Sequence, residues 1–177
     1  MSQLEIFIAL LPIIFMFHDF EEIIMFRPWL NKNRNELKKR FPKLESFLAK
    51  RNYFELSTSS FAVAVLCLFI LISTITFLSL YFKSYSMWFG AFMAYFLHLL
   101  IHFGQWVIFR KYVPFIVTSI LTLPYCIYTF HIFLISTKMT YSEMFVWTVL
   151  GFTVTVLSLS LAFYLANNFE KWKTKNY

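Results

Sequence analysis

The chain has 177 residues, 59% of them hydrophobic and 14% charged, with sixteen Lys and Arg against nine Asp and Glu. Its mean hydropathy of +0.64 reflects more apolar surface than one small water-soluble core can hide, so lipid is the expected solvent. With three glycines and five prolines, and with apolar runs much longer than the ~5–6 residues of a typical strand, the fold class is all-α, a polytopic bundle, and a β-barrel is disfavoured.

Five apolar segments follow one another along the chain: about 3–26, 57–82, 86–109, 112–136 and 143–166. Each is long enough to cross ~30 Å of hydrocarbon at 1.5 Å per residue. No Lys or Arg precedes the first, and no small-x-small cleavage site ends it, so residues 3–26 are expected to stay as a helix. The stretches 27–55, 110–111 and 170–177 hold 9, 2 and 3 basic residues, leaving Lys83 and Lys138 for the opposite side. The positive-inside rule then puts the N-terminus outside the cell membrane, and the basic loop 27–55 and the C-terminal tail in the cytoplasm. Residues 1–177 read as one membrane domain, without repeats.

Between the first two spans, Leu37, Phe41, Leu44 and Leu48 recur at helical spacing among Lys38, Lys39, Arg40, Lys43, Lys50 and Arg51. This pattern predicts one or two short interfacial helices, divided near Pro42. Lys38, Lys39 and Arg40 read first as a topology signal whose bases touch anionic lipid; in the functional alternative they bind an anionic lipid headgroup, as a lid over a cytoplasmic-side site. Arg110 and Lys111 alone separate the third and fourth spans, which predicts a tight antiparallel hairpin. Thr140 and Glu143 have the spacing of a capping box at the start of the fifth span. Cys67 and Cys126 stand alone in apolar runs and read as packing residues.

The first span carries His18, Asp19, Glu21 and Glu22 within five residues. Ionisable groups in a membrane helix each cost about 2.5–3.5 kcal/mol on insertion scales, so they need partners. At ~100° per residue, Glu21 and Glu22 lie roughly 60° and 40° to either side of His18. The third span supplies a complement in His98, His102 and Gln105, spaced by four and three residues. Counted from Arg27 and Arg110, the depths agree: ~13 Å for His18 and ~7 Å for Glu22, ~18 Å for His98 and ~12 Å for His102. Thr118 and Thr122 fall at the same depth and are candidate supporting donors, with hydrogen bonding to their own backbone as the simpler account. His131 falls ~30 Å away, at the outer surface.

Three histidines and two or three carboxylates suit a divalent metal, zinc before iron or manganese. The expected ligands are His18, His98, His102 and Glu22, with Glu21 and Glu22 as the catalytic carboxylates, one on the ion and the other the general base; Asp19, Gln105, Thr118 and Thr122 would surround them. A hydrogen-bonded network that only fastens two helices is the structural alternative.

His18-Asp19-Phe20-Glu21-Glu22 resembles the signature of the HXXEE-motif family of small bacterial membrane proteins, and His98-Leu99-Leu100-Ile101-His102 and Tyr112-Val113-Pro114 resemble its further motifs. The family usually has Gly after that Pro, where this chain has Phe115. The resemblance covers most of the chain and implies a metal-dependent membrane enzyme without naming a substrate.

The leading expectation is an intramembrane metal-dependent hydrolase acting on a lipid or other amphiphile, with anionic membrane lipid as partner. Nothing calls for nucleic acid, and a homo-oligomer is compatible with the sequence. One alternative is a metal-free His/Glu acid–base isomerase resembling the emopamil-binding group, whose carbocation-like intermediates would suit the 22% aromatic content. Another is an ion or proton relay in a transport or accessory protein. A haem held by two histidines would leave two acids unexplained.

Overall fold

The computed structural model describes residues 2–136 and 138–176, in which the chain is all helix and turn. Six helices follow one another: α1 (Gln3–Arg40), α2 (Pro42–Lys50), α3 (Thr58–Phe82), α4 (Ser86–Phe109), α5 (Ile116–Ile135) and α6 (Tyr141–Asn176). Four of them, α3, α4, α5 and α6, are long and apolar enough to cross a membrane. The helix α1, which carries Glu5, Asp19, Glu21 and Glu22 among its apolar residues, is not one of these four. Outward-facing side chains such as Phe77, Leu121 and Leu157 are 60–66% exposed, as expected of faces solvated by lipid.

Local chemistry sets the helix starts. Ser2 and Glu5 form a reciprocal capping box at α1, and Ser57 accepts from Ser60 N at α3. Thr140 and Glu143 exchange the same pair of bonds before α6. The α4–α5 connection is longer than the two basic residues alone, because α4 stops at Phe109 in a left-handed Arg110 and α5 starts only at Ile116. In α1 the chain departs from the expected short interfacial helices. The helix runs unbroken through Pro28 to Arg40, and the division falls at Phe41, just before Pro42 opens α2. The lost hydrogen bond at Pro28 is offset by packing: Leu30 and Leu37, two turns apart, are each 2% exposed in a cluster with Phe109, Val113 and Ile116. Trp29 Nε1 also donates to the Tyr112 carbonyl at 2.8 Å.

Helix neighbours close a ring in the order α1, α3, α6, α4, α5 and back to α1. A cavity of about 840 Å³ lies among α1, α2, α3, α4, α6 and the α4–α5 connection, with α5 itself outside its wall. Its wall is almost wholly apolar, and its basic end is closed by the Leu37, Phe41, Leu44, Leu48 stripe of α1 and α2. That stripe therefore faces inward to the cavity rather than only along a membrane surface. At this end Arg40 donates to the Ile108 and Phe109 carbonyls at 3.1 and 3.2 Å, capping α4, and to Glu36 at 2.7 Å. Lys111 reaches the other Glu36 oxygen at 2.8 Å. The two cations hold the exposed Glu36 carboxyl below the usual carboxylate range.

The helices α4 and α6 come into backbone contact at Gly90 and Gly151. A Cβ on Gly151 would stand 2.1 Å from the Gly90 carbonyl oxygen, backbone that cannot rotate away. Small residues of this kind let membrane helices touch. Gly104, by contrast, has nothing within 4 Å of a built Cβ. Gly151→Ala should therefore cost about 1–3 kcal/mol through overpacking, whereas Gly104→Ala should be neutral or gain up to ~1 kcal/mol of helix propensity. Thermal unfolding of the two variants in the same detergent checks the ordering.

Candidate metal centre

The ring places the polar stripes of α1 and α4 across from one another, and their side chains meet. The Glu22 Oε1 atom lies 3.0 Å from His102 Nε2, 3.5 Å from His98 Nε2 and 3.7 Å from His18 Nε2. The Nε2 atoms of His98 and His102 are 2.7 Å apart. One ligand atom from each of His18, Glu22, His98 and His102 falls within 4.8 Å of all the others. These are the four residues that the sequence nominates as metal ligands. A tetrahedral ion with bonds of ~2.0–2.2 Å wants donor atoms about 3.3 Å apart. The carboxylate–imidazole distances bracket that value, and the His98–His102 pair, at 2.7 Å, must open by about half an ångström.

Hydrogen bonds on the far side of the rings decide which nitrogens face the centre. The Thr118 hydroxyl donates to Glu21 Oε2 at 2.6 Å, because an ionised carboxylate can only accept. Its oxygen is then left to accept from His18 Nδ1 at 3.1 Å. That puts the proton on Nδ1 and leaves the buried Nε2, which has no hydrogen-bond partner among the described residues, with its lone pair toward Glu22. His102 is fixed likewise, with Nδ1 at 2.9 Å from the Gln105 amide oxygen, which also only accepts. Two of the three imidazoles are thus held in the tautomer that a metal needs, by partners of the kind that orient metal-bound histidines.

The two neighbouring glutamates part company. Glu22 joins the imidazoles, whereas Glu21 turns to α5, where it accepts from Thr118 N at 2.8 Å and from the Tyr112 hydroxyl at 2.8 Å. It sits where the positive end of a helix dipole stabilises an acid. Glu21 therefore acts on the centre through Thr118 and His18, without facing the ligand atoms. Asp19 is buried on the cavity wall, and its Oδ1 has no hydrogen-bond partner among the described residues. Thr122 is buried, and its hydroxyl donates to the Thr118 carbonyl in its own helix, so it supports Thr118 and not the imidazoles. Lys38 and Lys39 are exposed, while Arg40 is engaged by the α4 carbonyls and Glu36. His131 is exposed on α5, away from the cluster.

Three further residues belong to the site. Tyr95 packs edge-on to His18 at 5.9 Å; its position three residues before His98, on the same α4 stripe, was the available signal. Tyr112 reaches Glu21, and Phe115 stacks on His102 with ring centroids 3.9 Å apart. Phe115 adopts φ 133°, a region that a side chain rarely enters and glycine accepts readily.

The described chain is an all-α protein, with four helices long and apolar enough to cross a membrane, that brings together three histidines and one carboxylate, His18 and His102 buried, Glu22 and His98 half-buried. A family model described as "Protein of unknown function with HXXEE motif" matches residues 9–129, which include every residue of the cluster. The chain belongs to that family. No curated protein and no solved structure was found to match it.

The backbone at Phe115 gives a direct test. Phe115→Gly and Phe115→Ala both remove the ring stacked on His102, but only glycine relieves the positive φ. The Gly variant should be the more stable of the two by about 1–3 kcal/mol. Equal melting temperatures would mean that no strain is stored there.

Proposed function

We propose that His18, Glu22, His98 and His102 hold a divalent metal ion, zinc in preference to iron or manganese, in an intramembrane hydrolase that acts on a lipid or other amphiphile. The observation that carries this reading is the convergence of three imidazole Nε2 atoms on Glu22 Oε1 at 3.0–3.7 Å, two of them with Nδ1 already bonded elsewhere. An ion here would neutralise Glu22 and satisfy the orphaned His18 Nε2. Bound zinc supplies Lewis acidity to a water or a substrate carbonyl.

The chain's own residues supply the rest. Glu22 would bind the ion through Oε1, and the second oxygen of the same carboxylate would take a proton from a water beside the centre. Glu21 and Thr118 hold His18 in register, and Phe15, Phe26, Phe61, Tyr95 and Trp147 give the cavity aromatic walls. At about 840 Å³ the cavity falls within the ~300–1,000 Å³ of small-ligand pockets. Its small polar end at Asp19, Glu22, His98 and His102 and long apolar walls match a molecule with one reactive head and an apolar body.

Isolated protein should carry about one ion per chain, as a single three-histidine site requires. His98→Ala combined with His102→Ala should abolish that content. Thr118→Val, which removes only the support for His18, should weaken zinc affinity about 10–100-fold. Protein that holds no ion and takes up none from added zinc would end this reading. A second reading then stands, a metal-free acid–base site acting in isomerisation. It is favoured by the His98–His102 separation of 2.7 Å, the length of a proton-bridged hydrogen bond.

The same proposal includes five spans, with α1 as the first, the N-terminus outside and the basic ends cytoplasmic. Its support is the separation of charge between the two ends of the ring: Lys83 bonds to Glu5 at 2.5 Å at one end, and the Arg40–Glu36–Lys111 group lies at the other. In intact cells, a cysteine introduced at Ser84 should react with a membrane-impermeant maleimide, and one at Lys39 should react only after lysis. The reverse pattern would invert the topology.

A further inference from the structure

A second recess lies outside the ring, between α6 and the turn that joins α2 to α3, with a volume of about 460 Å³. Three cations line it, Lys50, Arg51 and Lys171, together with the carboxamides of Asn52, Asn167 and Asn168; no carboxylate does. Most of the acids elsewhere on this end are already paired, as in Arg34–Glu45, Arg40–Glu36 and Lys173–Glu170. Among the described residues none of the three lining cations has a carboxylate partner, and Arg51 only covers the Phe47 ring at 5.7 Å.

The α6 wall of this recess is one continuous helix face. Its lining residues recur at three- and four-residue steps from Val156 to Lys171, a stripe about 22 Å long. Along it the chemistry grades from apolar Val156, Leu159 and Phe163, through Ser160 and Tyr164, to the amides and Lys171. A cationic, amide-lined end joined to an apolar track along a lipid-facing helix has the polarity of a membrane phospholipid. The headgroup would lie against Lys50, Arg51 and Lys171, and an acyl chain along α6. A free phosphate would use the first half and leave the track empty.

We propose that this recess binds an anionic glycerophospholipid, its phosphate held by Lys50, Arg51 and Lys171. The headgroup contact thus falls on these residues and not on the Lys38, Lys39 and Arg40 trio. Leu159 and Phe163 line both this recess and the central cavity, so the lipid is seated against the wall of the reaction chamber. The proposal is independent of the metal reading.

Purified full-length protein, in a zwitterionic detergent, should bind phosphatidylglycerol, read as retained lipid in native mass spectrometry and as a rise in melting temperature. Phosphatidylcholine and inorganic phosphate should do neither. Lys50→Gln, Arg51→Gln and Lys171→Gln together should weaken phosphatidylglycerol binding at least tenfold. Lys171→Gln alone, an exposed change near the end of α6 that leaves folding untouched, should weaken it about threefold, in keeping with one of three charge-assisted contacts. Lys38→Gln with Lys39→Gln should leave binding as it is. Equal binding by the triple variant, equal loss in the Lys38/Lys39 variant, or equal protection by phosphatidylcholine or free phosphate would each overturn the assignment.

Discussion

Two carboxylates stand next to each other, half-buried, on one helix of an apolar bundle, and both need partners that water would otherwise provide. Successive residues on a helix point about 100° apart, so one neighbour cannot serve both. Glu21 is met by the first turn of α5, through Thr118 and Tyr112, and Glu22 by the imidazoles of α4. Leaving either acid unpaired would cost more than most single contacts in the bundle can return. This requirement pins α5 to one side of α1 and the His98–His102 stripe of α4 to the other, and so fixes which helices surround the cavity.

The two arms are joined. Thr118 donates to Glu21 and accepts from His18, so the acid outside the cluster governs the tautomer of a ring inside it. On the opposite side, Gln105 does the same for His102. Phe115 adds a third constraint, since it pays an unfavourable φ to start α5 and lay its ring on His102. A glycine there would give the backbone its permissive residue but no ring; in this chain the two demands compete.

Beyond the bundle, much of the basic surplus has structural work. Arg40 caps α4 and binds Glu36, which also holds Lys111, and Lys173 donates to Ser57 at 2.5 Å at the start of α3. Charge counted along the sequence therefore overstates what is free to meet lipid. The central cavity and the recess on α6 share Leu159 and Phe163 as a common wall, which puts an apolar chamber with a histidine–glutamate end beside a recess lined by three cations.

Local pattern along the chain was enough for the helical class, the four long apolar helices α3 to α6, the capping box at Thr140 and Glu143, and the four side chains that meet in the cluster. Each of these rests on local regularity: run length, capping chemistry, and the 3.6-residue period that brings His18 beside Glu22 and His98 beside His102. Only the tertiary structure decided that α1 and α4 face each other, that α1 continues past Pro28, that Glu21 leaves the cluster for α5, and that Lys50, Arg51 and Lys171 share a recess. Those outcomes depend on bringing together residues far apart in the chain, as Lys50 and Lys171 are in their recess, and on packing energies that no periodicity records. A helix face can be read along one segment, but its partner is chosen by the whole bundle.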